Sequence, residues 1–100
     1  MRKGVCKNIL YDNAMQLIKN NDVKIIDVRE ADEINNDSLP GSINIPLNDL
    51  NKQINKVVPY KNQTILVYCA TGSRSIYACQ ILADYGYNKV YILQGGVKRH

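Results

Sequence analysis

The run Thr64-Ile65-Leu66-Val67-Tyr68 constrains this chain most. It is almost continuously apolar and strand-sized, without the alternation of a strand that wets one face, so it must be covered on both sides. That is the condition of a central strand in a parallel sheet. The flanking sequence fits, because short apolar strands alternate with amphipathic helices. Asp12 to Asn20 places Ala14, Leu17 and Ile18 on one helical face before Asn20-Asn21-Asp22 breaks it. Val23 to Val28 reads as a strand centred on Ile25 and Ile26, with Asp27, Arg29 and Glu30 at its carboxyl end. A polar loop from Asn35 closes at Pro40-Gly41, and Ser42 to Ile45 is a short strand stopped by Pro46. Leu47 to Val57 is expected to be a helix with Leu47, Leu50 and Ile54 on one face. Arg74 to Tyr85 is expected to be another, carrying Ile76, Cys79, Ile81, Leu82 and Ala83 and stopped by Gly86. Lys89 to Leu93 makes a last strand before Gly95-Gly96, and Val97 to His100 is too short to assign. The expected fold is α/β: a small, open, mainly parallel five-stranded sheet with helices on both faces.

The chain has 100 residues, the size of one domain, expected to span 1–100 and to bury roughly two thirds of its unfolded surface. With 45% apolar and 22% charged residues, 6 Gly and 3 Pro, it falls outside the disordered, collagen-like and coiled-coil classes. Phe and Trp are absent, so Ile, Leu and Val must build most of the core. No run approaches the roughly 18 apolar residues of a membrane helix. Arg2 and Lys3 resemble the start of a leader, but Lys7, Asn8, Asp12 and Asn13 interrupt the apolar segment that should follow. The three cysteines are odd in number and none lies at Cys-x-x-Cys spacing, so neither a disulfide framework nor a zinc knuckle is expected. A reduced, cytoplasmic setting follows. The net charge of +4 is spread from Arg2 to Arg99 without a basic run, which argues against nucleic acid and favours small anionic substrates.

In an open parallel sheet, ligands bind where the carboxyl ends of strands feed helix amino termini. Cys69-Ala70-Thr71-Gly72-Ser73-Arg74-Ser75 occupies such a place. A short loop there turns successive N–H groups inward and forms an anion nest reinforced by the helix dipole. Gly72 allows the backbone to curl. A cysteine at the base of the nest has its thiolate stabilised, from a pKa of about 8.5 into a range of roughly 3.5 to 7.5, and is a nucleophile near neutral pH. Arg74 can aim its fork of donors at an anion or hold the loop in shape, and Ser73 and Ser75 add hydroxyls.

Four blocks, in order from about Ile9 to Gly96, resemble the rhodanese family of sulfurtransferases. Asp22-Val23-Lys24-Ile25-Ile26-Asp27-Val28-Arg29 is similar to its strand ending in Asp-Val-Arg, and Leu39-Pro40-Gly41-Ser42-Ile43-Asn44-Ile45-Pro46 to its proline-glycine block. Tyr68 to Ser75 resembles the active-site loop, with four residues between Cys69 and Arg74, and Val90 to Gly96 resembles the closing strand and Gly-Gly turn. The resemblance implies that Cys69 takes the outer sulfur of thiosulfate or a similar anionic donor, holds it as a persulfide and passes it to cyanide or a thiol. It implies no metal or organic cofactor, and as partners a small anionic sulfur donor and a thiol or cyanide acceptor, with a protein donor or acceptor left open; nucleic acid and membrane are argued against by the charge and apolar patterns above. Two positions depart from the family pattern: Ser38 stands where a histidine is frequent, and His100 where a tryptophan is frequent.

Blander readings compete at several positions. Asp27 and Arg29 are expected to form a strand-end pair that supports neighbouring loops rather than a catalytic pair. Cys79 reads as a core residue rather than a thiol that resolves the persulfide, Cys6 as a strand residue or a surface thiol, and His100 as a terminal residue unsuited to general-base work. Gly95-Gly96 reads as a turn supporting the active loop. Two other functions remain open. One is a carrier that relays persulfide sulfur between a protein donor and a protein acceptor. The other is a cysteine-based phosphatase or arsenate reductase, although that arrangement normally places five residues between Cys and Arg and so makes a wider cavity.

Overall fold

The computed structural model of the chain describes residues 6–99. Arg2, Lys3 and His100, on which the leader and terminal-histidine readings rest, lie outside the described residues. The strands are β1 (Cys6–Ile9), β2 (Val23–Asp27), β3 (Ile43–Asn44), β4 (Thr64–Tyr68) and β5 (Val90–Leu93). The helices are α1 (Tyr11–Asn20), α2 (Leu50–Val57) and α3 (Ser73–Asp84). The strands form one sheet in the order β1-β5-β4-β2-β3, and every pairing is parallel. The apolar run is central as expected, with β4 between β2 and β5.

Alternation along the strands divides the core into two layers. Ile65, Val67 and Cys69 join Ile26, Val28 and Ile92 on the face covered by Leu50 and Ile54 of α2 and Ala78 and Leu82 of α3. Leu66 and Tyr68 join Ile25 and Leu93 on the opposite face, under Ala14 of α1 and Val97. β4 therefore carries apolar residues on both faces because both are covered. Its carboxyl end delivers Cys69 straight into the turn that starts α3.

Local details depart from the sequence reading for identifiable reasons. The Leu47 helix begins as a separate 3-10 turn, Leu47–Asp49, in which the Asp49 N–H bonds the Pro46 carbonyl at 2.8 Å before α2 starts. The buried face of α3 runs through Ser75, Ala78 and Leu82, which turns Ile76 outward to 54% exposure and corrects its placement in the core. β1 is an edge strand that pairs only with β5; of it, only Cys6 was expected in a strand.

The cysteines also require a correction. Cys6 and Cys79 form a disulfide, with Cα atoms 6.2 Å apart across 73 residues of chain, and Cys69 is the free cysteine. Spacing in sequence could not reveal this. The pairing is made by the crossover that lays β1 beside β5, under the flank of α3, and the separation suits a disulfide. Cys79 does pack against the core, but its sulfur is bonded to Cys6. With two of the three cysteines paired, cysteine usage no longer points to a reduced compartment. No helix among the described residues is long and apolar enough to cross a membrane.

Candidate active site

Cys69 follows the last residue of β4 and is completely buried. Gly72, at φ +102°, caps α3 in the left-handed region and so curls the loop back upon the sulfur. Its N–H points at Cys69 Sγ from 3.0 Å. Three residues after Gly72, the first turn of α3 brings in Ser75, a buried polar residue. Its hydroxyl donates to the Gly72 carbonyl at 3.0 Å and lies 3.8 Å from the sulfur.

Opposing influences act on the thiol. Burial pushes its pKa up, but the Ser75 N–H and hydroxyl, with the N–H groups of Gly72 and Thr71, together outweigh it and leave the thiol below its ordinary value. Of the expected site residues, Ala70 is buried at the foot of the loop, whereas Thr71 and Ser73 are exposed on its outer side. Thr71 contributes through its backbone.

The closing turn supports the loop from below. The Val97 N–H donates to the Cys69 carbonyl at 3.1 Å, and the Lys98 N–H to the Ala70 carbonyl at 2.9 Å. Gly96, at φ +71°, packs so closely that a Cβ there would lie 2.6 Å from the Thr71 nitrogen and nearer still to the Ala70 carbonyl. The Gly-Gly turn is thus a supporting contact to the loop, as the sequence suggested.

Arg74 is held from the side by a residue the sequence reading did not single out. Both terminal nitrogens of its guanidinium bond the Glu33 carboxylate, Nη2 to Oε1 at 2.7 Å, in the two-pronged geometry that arginine favours. Glu33 ends a 3-10 turn, Ala31–Glu33, whose capping box pairs the Glu30 side chain with the Glu33 N–H and the Glu33 side chain with the Glu30 N–H. The Arg74 bond and then the Glu30 N–H hold the Glu33 carboxyl down at about 2. Arg74 is raised by Glu33 first and, to a smaller extent, by the charge of Cys69. The Glu30-x-x-Glu33 spacing was the available signal for this turn; its pairing with Arg74, 41 residues on, was not.

Asp27 and Arg29 lie elsewhere. Asp27 alternates with Ile26 and so shares the face of Ile25 and Tyr68, opposite that of Cys69. Arg29 is fully buried and bonds Asp27 through Nε at 3.0 and 3.1 Å and through Nη2 at 2.8 Å. Its Nη1 bonds Asp37 at 3.1 and 3.2 Å, while Asn44 donates to both the Asp27 and Arg29 carbonyls at 2.9 Å. The Tyr68 hydroxyl accepts from the Leu39 N–H and donates to Ser42, which ties the proline-glycine block to the central strand. These groups shape the loops around the site. No group of three or more His, Cys, Asp or Glu among the described residues is placed to hold a metal ion.

Residues 10–99 match the family described as Rhodanese-like domain. The chain is 42% identical over 65 residues to the thiosulfate sulfurtransferase PspE of Escherichia coli, an overlap of 65% of this chain and 62% of that relative. It is 31% identical over 90 residues to the thiosulfate sulfurtransferase GlpE of Coxiella burnetii, covering 90% of this chain and 82% of the relative. Among solved structures, a rhodanese-related protein of Thermoplasma volcanium superimposes with a TM-score of 0.78 at 31% identity, covering 93% of this chain and 88% of that one.

Proposed function

The chain belongs to the family of rhodanese-like domains, and on that premise we propose that it is a sulfurtransferase whose nucleophile is Cys69. One observation carries the reading: a buried cysteine whose sulfur lies 3.0 Å from an inward N–H, its pKa lowered by loop donors despite burial. In the first half-reaction the Cys69 thiolate attacks the outer sulfur of a small anionic donor such as thiosulfate. A new S–S bond forms and sulfite leaves with the electron pair of the old one. The terminal sulfur of the resulting persulfide carries negative charge, and the N–H groups of Thr71, Gly72 and Ser75 are already oriented to stabilise it. In the second half-reaction cyanide or a thiolate takes that sulfur and the Cys69 thiolate is restored. Ala70 to Ser75 form the binding loop, with Arg74 fixed by Glu33 as its brace. Asp27 and Arg29 support the surrounding loops, and the cycle uses no metal or organic cofactor.

Steady-state kinetics with thiosulfate and cyanide test this reading. The double-reciprocal plots are expected to be parallel, as in a ping-pong cycle, with turnover rising with pH as Cys69 ionises and levelling off above its pKa. Because the loop donors hold the folded thiol below its ordinary value, the midpoint is expected at lower pH than for a free thiol. Intersecting plots would contradict the two-step cycle. Slow turnover with thiosulfate but rapid loading from a persulfidated protein would replace it with the carrier reading, and Cys69-dependent turnover of an aryl phosphate with a phosphatase.

A further inference from the structure

Cys6 and Cys79 are not used by the sulfur-transfer cycle, and their position says why. Cys6 is opposite Val90 in the β1–β5 ladder, and Val90 is opposite Ile65 in the β4–β5 ladder. Cys69 lies four residues farther along β4, about 13 Å at the usual rise of a strand. The disulfide therefore sits near the amino ends of the strands, out of reach of a persulfide formed at their carboxyl ends.

What the bond does hold is β1. This strand is four residues long and has β5 as its sole neighbour in the sheet. Among the described residues, the Cys6–Cys79 bond is its one covalent tie to α3. β1 also matters locally to the active loop: Asn8 lines a cleft of about 380 Å³ together with Thr71, Gly72, Ser73, Gln94 and Gly95. Cys6 and Cys79 are both only partly buried, at the margin of the core, so a reductant can approach without unfolding the sheet.

We propose that Cys6–Cys79 is a redox-sensitive latch, separate from the catalytic cysteine, which pins edge strand β1 to α3 when closed and releases it when opened by a dithiol reductant. Opening is a two-electron reduction. The Cys6–Cys79 S–S bond breaks, each sulfur gains a proton, and the dithiol leaves as its own disulfide. With the latch open, β1 keeps only its short ladder with β5 and the packing of Cys6 and Ile9 at the margin of the core, and the Asn8 wall of the cleft loosens while Cys69 stays in its cradle.

The Cys69→Ser chain gives the clearest test, because Cys6 and Cys79 are then its only cysteines. Purified without reductant, alkylated under denaturing conditions and weighed, it is expected to take up no alkyl group as a monomer, and two after dithiothreitol. On reduction the unfolding midpoint is expected to fall by about 10 °C or more, since the bond closes a long loop of the unfolded chain. Amide exchange at Lys7, Asn8 and Ile9 is expected to quicken at least about tenfold more than at Leu66 and Val67, whose exchange follows the fall in global stability alone, as a local opening of β1 requires. A Cys79→Ser chain should show the reduced midpoint with or without dithiothreitol, which checks the result in a chain with Cys69 intact. Two alkylated thiols before reduction, or a midpoint and exchange rates that dithiothreitol leaves unchanged, would overturn the latch. None of these readouts depends on sulfur transfer, so the proposed activity can fail without the latch failing.

Discussion

Replacing Gly96 by alanine is expected to cost about 2–4 kcal/mol of stability and to lower sulfur transfer at least a hundredfold in the fraction that remains folded. The added methyl meets backbone, the Ala70 carbonyl and the Thr71 nitrogen, which cannot swing aside as a flexible side chain would. Either the closing turn or the loop must move. If the turn moves, the Val97 and Lys98 N–H bonds to Cys69 and Ala70 break; if the loop moves, the Thr71 and Gly72 donors leave the sulfur. Gly41→Ala is the matched control. That position also has a left-handed backbone, at φ +79°, but a Cβ there meets nothing within 4 Å. Its cost is expected to be the conformational one alone, about 1 kcal/mol, with sulfur transfer unchanged. Chemical denaturation and turnover of the two variants, side by side, check this. Equal effects at both positions would show that contact with the loop is unimportant.

Arg29→Ala is expected to be the most destabilising change on the opposite face, at about 3–5 kcal/mol. The truncation leaves the Asp27 carboxylate, 1% exposed, without the three guanidinium bonds that compensate its burial, and strips Asp37 of its partner. Small domains have a total stability of roughly 5–15 kcal/mol, so a substantial unfolded fraction is expected at room temperature. Asp27→Asn combined with Arg29→Ala should recover part of the loss, because the stranded charge is then gone. Denaturation midpoints of the single and double variants decide it; a double variant no more stable than Arg29→Ala would place the cost in lost packing instead of in the unpaired carboxylate. Cyanide-labile sulfur loading of the folded fraction is expected to persist, since neither residue is on the Cys69 face of the sheet.

What could be read from the sequence follows a physical division. Thr64–Tyr68 declared itself a central strand because its burial on both faces is written in consecutive residues, and the helix after it because apolar residues recur at helical spacing and Gly86 stops it. Cys69 was legible for the same reason: strand, loop and helix start are contiguous, so the geometry is local. Glu33 and the Cys6–Cys79 bond were not legible as contacts, because each joins segments that only the tertiary fold brings together; support of the loop by the Gly-Gly turn was expected, but not how closely Gly96 meets the Ala70 and Thr71 backbone. Ile76 marks a smaller failure. Several registers of apolar residues fit a helix this rich in them, and the buried one runs through Ser75 and Ala78, whose small side chains let α3 lie close to the sheet. The Asp27–Arg29 pair was expected as a support, but its reach to Asp37, eight residues from Arg29, appears only in the fold.

The central claim, that Cys69 carries the transferred sulfur, is tested most directly by intact-mass spectrometry after treatment with thiosulfate and desalting. The wild-type chain is expected to gain the mass of one sulfur atom, which cyanide then removes as thiocyanate, while Cys69→Ser gains none. A cyanide-labile sulfur on the Cys69→Ser chain, or none on the wild type with either thiosulfate or a persulfidated protein as donor, would contradict it.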